Sequence, residues 1–164
     1  MIITMKRKEL LQLLTPSTEK LYKLSFNLLP DSLQAEQLVI DGINAFLLKE
    51  KKAIFNKEFS TQNSSEVQSL KKWVFKSVIK HLCDIGLKRS FQLGPQVTLE
   101  YGDDFKKFFS LDATTRLVLT MRFNLSFSVD EISDLLEIPR YGVIEKIHNG
   151  RYILTTQLEP ENIL

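Results

Sequence analysis

The chain has 164 residues, of which 43% are hydrophobic and 26% are charged, and its formal net charge at pH 7 is +2. This balance indicates a folded protein of one domain or two small ones and excludes a largely disordered chain. No apolar run approaches the roughly twenty residues that span a bilayer, and the N-terminus lacks the apolar core of a signal peptide, so we expect a cytoplasmic protein.

Few residues are suited to chemistry. The single cysteine, Cys83, excludes an internal disulfide, and the distant histidines His81 and His148 do not make a metal-ligand set. There is no glycine-rich phosphate loop, and Cys83 lies in a helical pattern where a buried thiol is the usual outcome. We therefore expect no enzymatic activity, no metal or other cofactor and no small-molecule substrate.

The first part of the chain predicts two short helices. Leucine, lysine, glutamate and glutamine recur at helical spacing almost throughout the sequence, which predicts an all-α fold without sustained strands. An amphipathic segment, "MKRKELLQLL", ends near Pro16, and Thr18 is the predicted cap of the next helix. That helix ends at Pro30 and places three leucines on one face: Leu21, Leu24 and Leu28.

Two longer helices follow. Asp31 or Ser32 is the predicted cap of "LQAEQLVIDGINAFLLKEKK", whose core stripe is Leu38, Ile43 and Phe46 despite Gly42. The polar segment "STQNSSEVQ" predicts a loop, and Ser65 is the predicted cap of a helix from Glu66 to Arg89. The buried stripe of this basic helix is predicted to be Leu70, Val74, Val78, Leu82 and Ile85.

A segment with Gly94 and Pro95 predicts a linker over residues 93–104, between domains at 1–92 and 105–164. The charges divide unevenly around it. Residues 1–95 hold 15 Lys/Arg and 9 Asp/Glu, and residues 96–164 hold 7 and 11, which gives +6 and −4. Any affinity for polyanions should therefore be stronger in the first part, because Lys and Arg neutralise phosphates.

The second part predicts a helix-turn-helix. "DATTRLVLTMRFN" predicts a helix that buries Leu117, Val118 and Met121. Ser128 and Glu131 are spaced as a capping box before the next helix, whose apolar face is Val129, Ile132, Leu135 and Leu136. Ile138-Pro139 marks the corner. The last helix is predicted to bury Val143, Ile147, Gly150 and Leu154.

The face of the last helix opposite this stripe is a candidate DNA reader. Arg and Asn make bidentate contacts with guanine and adenine, and Glu accepts a hydrogen bond from cytosine, although a carboxylate near phosphates weakens non-specific affinity. The alternative is that these helices only pack in a small bundle. The candidate residues are Arg140, Tyr141, Glu145, Lys146, His148, Asn149, Arg151 and Tyr152.

Three segments in the same order resemble the extracytoplasmic-function sigma factors of bacteria. They are "LYKLSFNLLPDSLQAEQLVIDGINAF", "WVFKSVIKHLCDIGLKR" and the stretch from Leu111 to Leu154. The resemblance implies two helical domains, corresponding to sigma regions 2 and 4, that bind core RNA polymerase and promoter DNA. The positions in the last stretch that match the family include Leu111, Arg116, Val118, Arg122, Ser128, Glu131, Ile132, Leu136, Pro139, Val143, His148, Arg151 and Leu154.

The resemblance also implies contact residues in the first domain. The helix from Leu33 to Glu50 would dock on the polymerase clamp coiled coil through Gln34, Ala35, Glu36, Gln37, Leu38, Val39 and Asp41. The basic helix would approach the minus-ten element through Lys72, Trp73, Lys76, Lys80, His81, Lys88 and Arg89. Cations with an aromatic ring suit single-stranded DNA. The alternative is that Trp73 belongs to the core and the lysines form a solvated face.

The sequence departs from the family mainly in the helix that would read the minus-thirty-five element. Ile144, Glu145 and Asn149 replace lysine, serine and arginine, Glu137 replaces the corner glycine, and Asp112 replaces a proline. In the basic helix, His81 replaces asparagine, and Ile85 stands at a usual aspartate unless Asp84 replaces it by a shift of one residue. Three hypotheses remain: a divergent sigma factor; a sigma-like protein that binds an anti-sigma factor or polymerase without reading a promoter; and an ordinary helix-turn-helix repressor.

Overall fold

The computed structural model describes residues 2–4, 7–55, 58–60, 64–94 and 103–156. The all-α fold class is confirmed, and the chain divides into two compact units, Met1–Pro95 and Gln96–Leu164. The elements are β1 (Ile2–Thr4), α1 (Arg7–Leu14), a 3₁₀ turn (Thr15–Ser17), α2 (Thr18–Leu28), α3 (Ser32–Phe55), β2 (Glu58–Ser60), α4 (Ser64–Leu93), α5 (Asp103–Ser110), α6 (Ala113–Phe123), α7 (Val129–Leu136) and α8 (Arg140–Thr155).

A small ribbon in the first unit was not predicted. β1 pairs antiparallel with β2, with Ile3 opposite Phe59. Strands of three residues are too short to show the alternation by which a strand is recognised in a sequence. The predicted linker at 93–104 lies mostly outside the described residues, since α4 continues to Leu93 and the next described helix begins at Asp103.

In the first unit, two predicted helix caps are wrong and one is right. Thr18 is the first residue of α2 and not its cap, because the preceding 3₁₀ turn leads directly into the helix. Ser65 lies inside α4, which begins one residue earlier. Asp31 does cap α3, since its Oδ1 accepts a hydrogen bond from the Gln34 backbone at 2.9 Å. A serine, threonine or aspartate near a predicted helix start therefore indicates that a helix begins there, but not at which residue it begins.

The core of the first unit is built by α2, α3 and α4. Leu24, Leu38, Phe46 and Val78 have no exposed surface, while the predicted core residues Ile43 and Ile85 are half-buried. Gly42 lies where α3 meets α4, and a Cβ added there would lie 2.9 Å from the Leu82 Cβ. The glycine that interrupts the predicted helix is thus explained by close helix packing.

The second unit packs α6 against α7 and α8. Leu117, Val118, Met121, Ile132 and Val143 are fully buried, as predicted. A Cβ added at Gly150 would lie 2.7 Å from the Leu119 Cδ1, so α8 lies very close to α6 there. Four other residues predicted to be buried are only half-buried: Val129, Leu136, Ile147 and Leu154. Among the described helices of the chain, none is long and apolar enough to cross a membrane.

Candidate functional site

The helix-turn-helix corner is fixed by local hydrogen bonds. The predicted capping box is present: the Ser128 Oγ accepts from the Glu131 backbone at 3.1 Å, and the Glu131 carboxylate accepts from the Ser128 backbone at 3.5 Å. At the other end of α7, Glu137 adopts the left-handed conformation with φ 55°. Ser133 Oγ then donates to the Ile138 carbonyl at 2.6 Å, and α8 begins at Arg140. These contacts set the direction of α8.

The outward side of α8, which we call the reading face, consists of Tyr141, Glu145, His148, Asn149 and Tyr152. All five are exposed, as the sequence predicts, and the two tyrosines keep 74% and 71% of their surface in solvent. Glu145 and Asn149 also line a cleft of about 330 Å³ between α8 and the start of α6. The face offers aromatic rings and hydrogen-bonding groups without a cation among its five members.

The cations beside the reading face already have partners in their own unit. Arg140 lies 3.5 Å from Asp130, and Lys146 lies 3.7 Å from Asp112. The Arg151 guanidinium stacks 5.8 Å from the centre of the Phe123 ring. The two ion pairs are largely exposed and therefore weak, so a phosphate could displace either carboxylate at little cost. They nevertheless cancel most of the positive charge that the resemblance requires here.

Asp112, which replaces a family proline, has a structural role at the start of α6. Its carboxylate accepts a hydrogen bond from the Thr115 backbone at 3.0 Å and so caps the helix. Partial burial raises the pKa of Asp112, but the bonds from Thr115 and the charge of Lys146 outweigh it, and the pKa lies below its usual value. The carboxylate is therefore charged at neutral pH and holds Lys146 beside the reading face.

The basic helix α4 presents fewer ligand-facing groups than predicted. Lys72 and Lys88 are exposed, whereas Lys76 and Lys80 are half-buried and interact within the protein. Trp73 packs edge-to-face on Phe46, with ring centres 5.9 Å apart, so this ring lies partly in the core. The predicted cations that remain for a polyanion are Lys72, next to the half-buried Trp73, and Lys88, sixteen residues further along the helix.

Two predicted DNA contacts of α4 turn towards α3 instead. The His81 side chain is 12% exposed, lies 3.9 Å from Glu50 and packs on Phe46, and burial lowers its pKa. The His81 side chain therefore mainly joins α4 to α3. Arg89 forms an ion pair with Asp41 across the same helix interface.

Some of the contact residues predicted on α3 are exposed, and others are buried. Leu38 has no exposed surface and Val39 has 7%, so these two positions offer nothing to a partner, because they fill the core. Gln34, Glu36 and Gln37 are exposed as predicted. Ala35 is fully buried. Asp41 is half-buried and accepts hydrogen bonds from Gln37 and Arg89.

Sequence reasoning missed an apolar stripe on α3. Leu33, Ile40 and Leu48 keep 76%, 51% and 81% of their surface exposed, and Gln37 and Asn44 lie between them. We call these five residues the docking stripe. Their spacing of four, three, four and four residues places them on one line of a helix. The repeat of apolar residues outside the core stripe was the signal that could have found them.

No candidate metal centre is found among the described residues. No group of three potential metal ligands occurs in that part of the chain. Cys83 is buried, and burial raises the pKa of its thiol far above the usual value, so the thiol is unreactive. The described residues offer three candidate contact regions: the docking stripe of α3, the exposed lysines of α4 and the reading face of α8.

Comparison with known proteins identifies the fold. No protein-family model matches the chain, and no curated protein matches its sequence. Among solved structures, the chain is similar to the sigma factor RpoE in complex with the anti-sigma factor NepR from Bartonella quintana. The two chains share 19% sequence identity with a TM-score of 0.56, and the match covers 90% of this chain and 92% of that one. The chain thus has the fold of a sigma factor.

Proposed function

We propose that this protein is a transcription initiation factor of the extracytoplasmic-function sigma type, which binds core RNA polymerase and directs it to specific promoters in the cytoplasm. The observation that carries the proposal is the likeness in fold to a sigma factor, because it extends over 90% of the chain and includes both units. In this proposal, residues 1–92 bind polymerase and the minus-ten element, 93–104 form a linker, and 105–164 bind the minus-thirty-five element.

Polymerase binding is assigned to the docking stripe with its polar neighbours Gln34 and Glu36. Three exposed apolar side chains in line along α3 form an apolar seam of the kind that packs against another helix. This chemistry suits the clamp coiled coil that the family resemblance implies. The stripe replaces Leu38 and Val39 as the apolar part of the contact.

Promoter melting is assigned to α4. Lys72 and Lys88 are exposed cations, and Trp73, next to Lys72, is half-buried. Cations that neutralise phosphates and a ring on which an unstacked base can lie are the two features that bind single strands. The positive charge of residues 1–95 agrees with this assignment. Arg89 and His81 support the surface by holding α4 against α3.

Competitive co-elution with core RNA polymerase tests the proposal. The purified protein should co-elute with polymerase on a sizing column and be displaced by a known sigma factor. Ile40→Asp should abolish co-elution, since a charge would enter the centre of the docking stripe. Leu11→Asp is the matched control, because Leu11 is similarly exposed, at 40%, on α1. Absence of wild-type co-elution, where the competitor binds, would overturn the proposal.

A second variant separates DNA melting from polymerase binding. Lys72→Ala combined with Lys88→Ala should reduce promoter opening, measured by permanganate reactivity, and leave co-elution unchanged. Lys20→Ala with Lys23→Ala is the control, since both are exposed lysines on α2. Arg89 is not changed in this test because it pairs with Asp41. Normal opening by the α4 variant would show that Lys72 and Lys88 do not take part in melting.

A second candidate function is a sigma-like interaction protein that binds an anti-sigma factor, or binds polymerase without reading a promoter. The pairing of Arg140 with Asp130 and of Lys146 with Asp112 favours it, because the charge beside the reading face is largely cancelled. Co-elution with polymerase but no transcription from any fragment of the host genome would favour this candidate. Transcription from a defined promoter would exclude it.

A further inference from the structure

The reading face presents a carboxylate and an amide, those of Glu145 and Asn149, that are open to a ligand. Glu145 and Asn149 make no ion pair or hydrogen bond with the side chain of any other described residue, and both are exposed. The neighbouring cations are engaged with Asp130, Asp112 and the ring of Phe123. The carboxylate and the amide can thus reach base edges without breaking a contact within the described part of the unit, whereas Arg140, Lys146 and Arg151 would first leave theirs.

We propose that Glu145 and Asn149 form a base-reading pair, with Glu145 accepting from the amino group of a cytosine and Asn149 contacting an adenine in the major groove. This inference rests on the proposed function, since it assigns the sequence preference of the same α8 surface. The base preference would be specific to this protein, because Glu145 and Asn149 replace the serine and the arginine of the family pattern.

The chemistry of the base edges supports this choice. A carboxylate only accepts hydrogen bonds, and cytosine presents an amino donor in the major groove without a neighbouring acceptor at the same edge. Guanine presents two acceptors there and thymine presents one, so both repel Glu145. The Asn149 amide both donates and accepts, which matches the N7 acceptor and N6 donor of adenine.

Geometry sets the spacing between the two bases. Glu145 and Asn149 are one helical turn apart, and four residues correspond to about 6 Å along a helix axis. Successive base pairs are separated by about 3.4 Å, so a helix lying along the groove would place the two side chains about two base pairs apart. Both residues line one cleft between α8 and the start of α6, which confirms that they share a side of the helix.

Selection from a random duplex library tests the pair. The full-length protein, alone and with core polymerase, should enrich cytosine at one position and adenine about two positions away. Glu145→Gln should reduce the cytosine preference by about ten-fold or more, and Asn149→Ala should do the same for adenine alone. Asp134→Asn is the matched control, because Asp134 is an exposed carboxylate on α7 outside the reading face, and it should leave both preferences unchanged.

Three results would overturn the inference: no base preference in the wild type, a cytosine preference that survives Glu145→Gln, or loss of both preferences in the Asp134 control. Circular dichroism of each variant separates lost contacts from lost folding, and both positions are exposed enough to leave the core intact. Co-elution with polymerase is measured on the same samples. Enrichment of the expected bases without co-elution would support the base-reading pair and contradict the proposed initiation factor. Co-elution without base enrichment would support the initiation factor and contradict the base-reading pair.

Discussion

Removing the charge of Asp41 should lower the free energy of unfolding of the first unit by about 2 kcal/mol. Asp41 accepts hydrogen bonds from Gln37 Nε2 at 2.9 Å and from the Arg89 guanidinium, and the carboxylate and guanidinium side chains keep only 26% and 31% of their surface exposed. One Arg89 nitrogen, Nη1, is buried without a partner. Hydrogen bonds to charged groups contribute about 1.5–3 kcal/mol, so Asp41→Asn should lose most of one such contribution.

Urea denaturation at pH 7 measures this loss of stability, and tryptophan fluorescence assigns it to the first unit. Trp73 is the only tryptophan of the chain and packs on Phe46, so its fluorescence reports the first unit. A double-mutant cycle with Arg89→Gln should give a coupling of at least about 1 kcal/mol. Glu36→Gln is the control, since Glu36 is an exposed carboxylate on the same helix, and it should change stability by less than about 0.5 kcal/mol.

The same pair predicts acid sensitivity. Partial burial raises the pKa of Asp41, but the hydrogen bonds from Arg89 and Gln37 outweigh it, so the folded pKa lies below the usual 3.8. A lowered folded pKa means that the stabilisation is complete above pH 3.8 and is lost as the pH falls through the folded value. Asp41→Asn should therefore approach the wild type in stability only below about pH 4. Zero coupling, or an unchanged gap at low pH, would refute the reasoning.

Four further predictions concern the backbone and the reading face. Glu137→Gly should raise the melting temperature of the second unit by about 4–8 °C, because about 1 kcal/mol of left-handed strain at φ 55° is relieved; calorimetry that finds no rise would contradict it. Gly42→Ala should destabilise by about 2 kcal/mol, since its Cβ would lie 2.9 Å from the Leu82 Cβ. Gly142→Ala, whose Cβ would meet nothing nearer than 3.9 Å, should instead gain up to about 1 kcal/mol in urea denaturation. Glu145→Lys should steepen the salt dependence of non-specific duplex binding by about one unit of slope, and an unchanged slope would mean that this face does not meet DNA.

Helix periodicity predicted much of each unit because it depends only on residues within one element. The capping box at Ser128 and the outward direction of Tyr141 and Glu145 follow from spacing along a single helix, and the structure has both. The same spacing cannot say which groups on neighbouring helices meet. Arg89 and Asp41 are 48 residues apart, so their pairing depends on how α3 packs on α4.

The errors at the candidate surfaces have the same origin. Leu38 and Val39 were assigned to a partner by resemblance, although a leucine in a helix fills the core more often than an interface, and here both do. Leu33, Ile40 and Leu48 were missed because exposed apolar residues look unremarkable singly and become a surface only when the core stripe is known. Knowing which face of α3 is buried was the missing information.

The charges together suggest a division of labour between the two helices proposed to meet DNA. Phosphate contacts supply affinity that does not depend on sequence, and exposed lysines for such contacts remain on α4 at Lys72 and Lys88. Beside α8, Asp130 and Asp112 offset two cations and Glu145 adds a negative charge, so this helix would gain little from phosphates. A helix that gains little affinity from the DNA phosphates contributes to promoter choice through its contacts with the bases. In our proposal, α8 therefore contributes discrimination, while α4 and the polymerase contribute affinity, and base changes opposite α8 should alter promoter choice more than the salt dependence of binding.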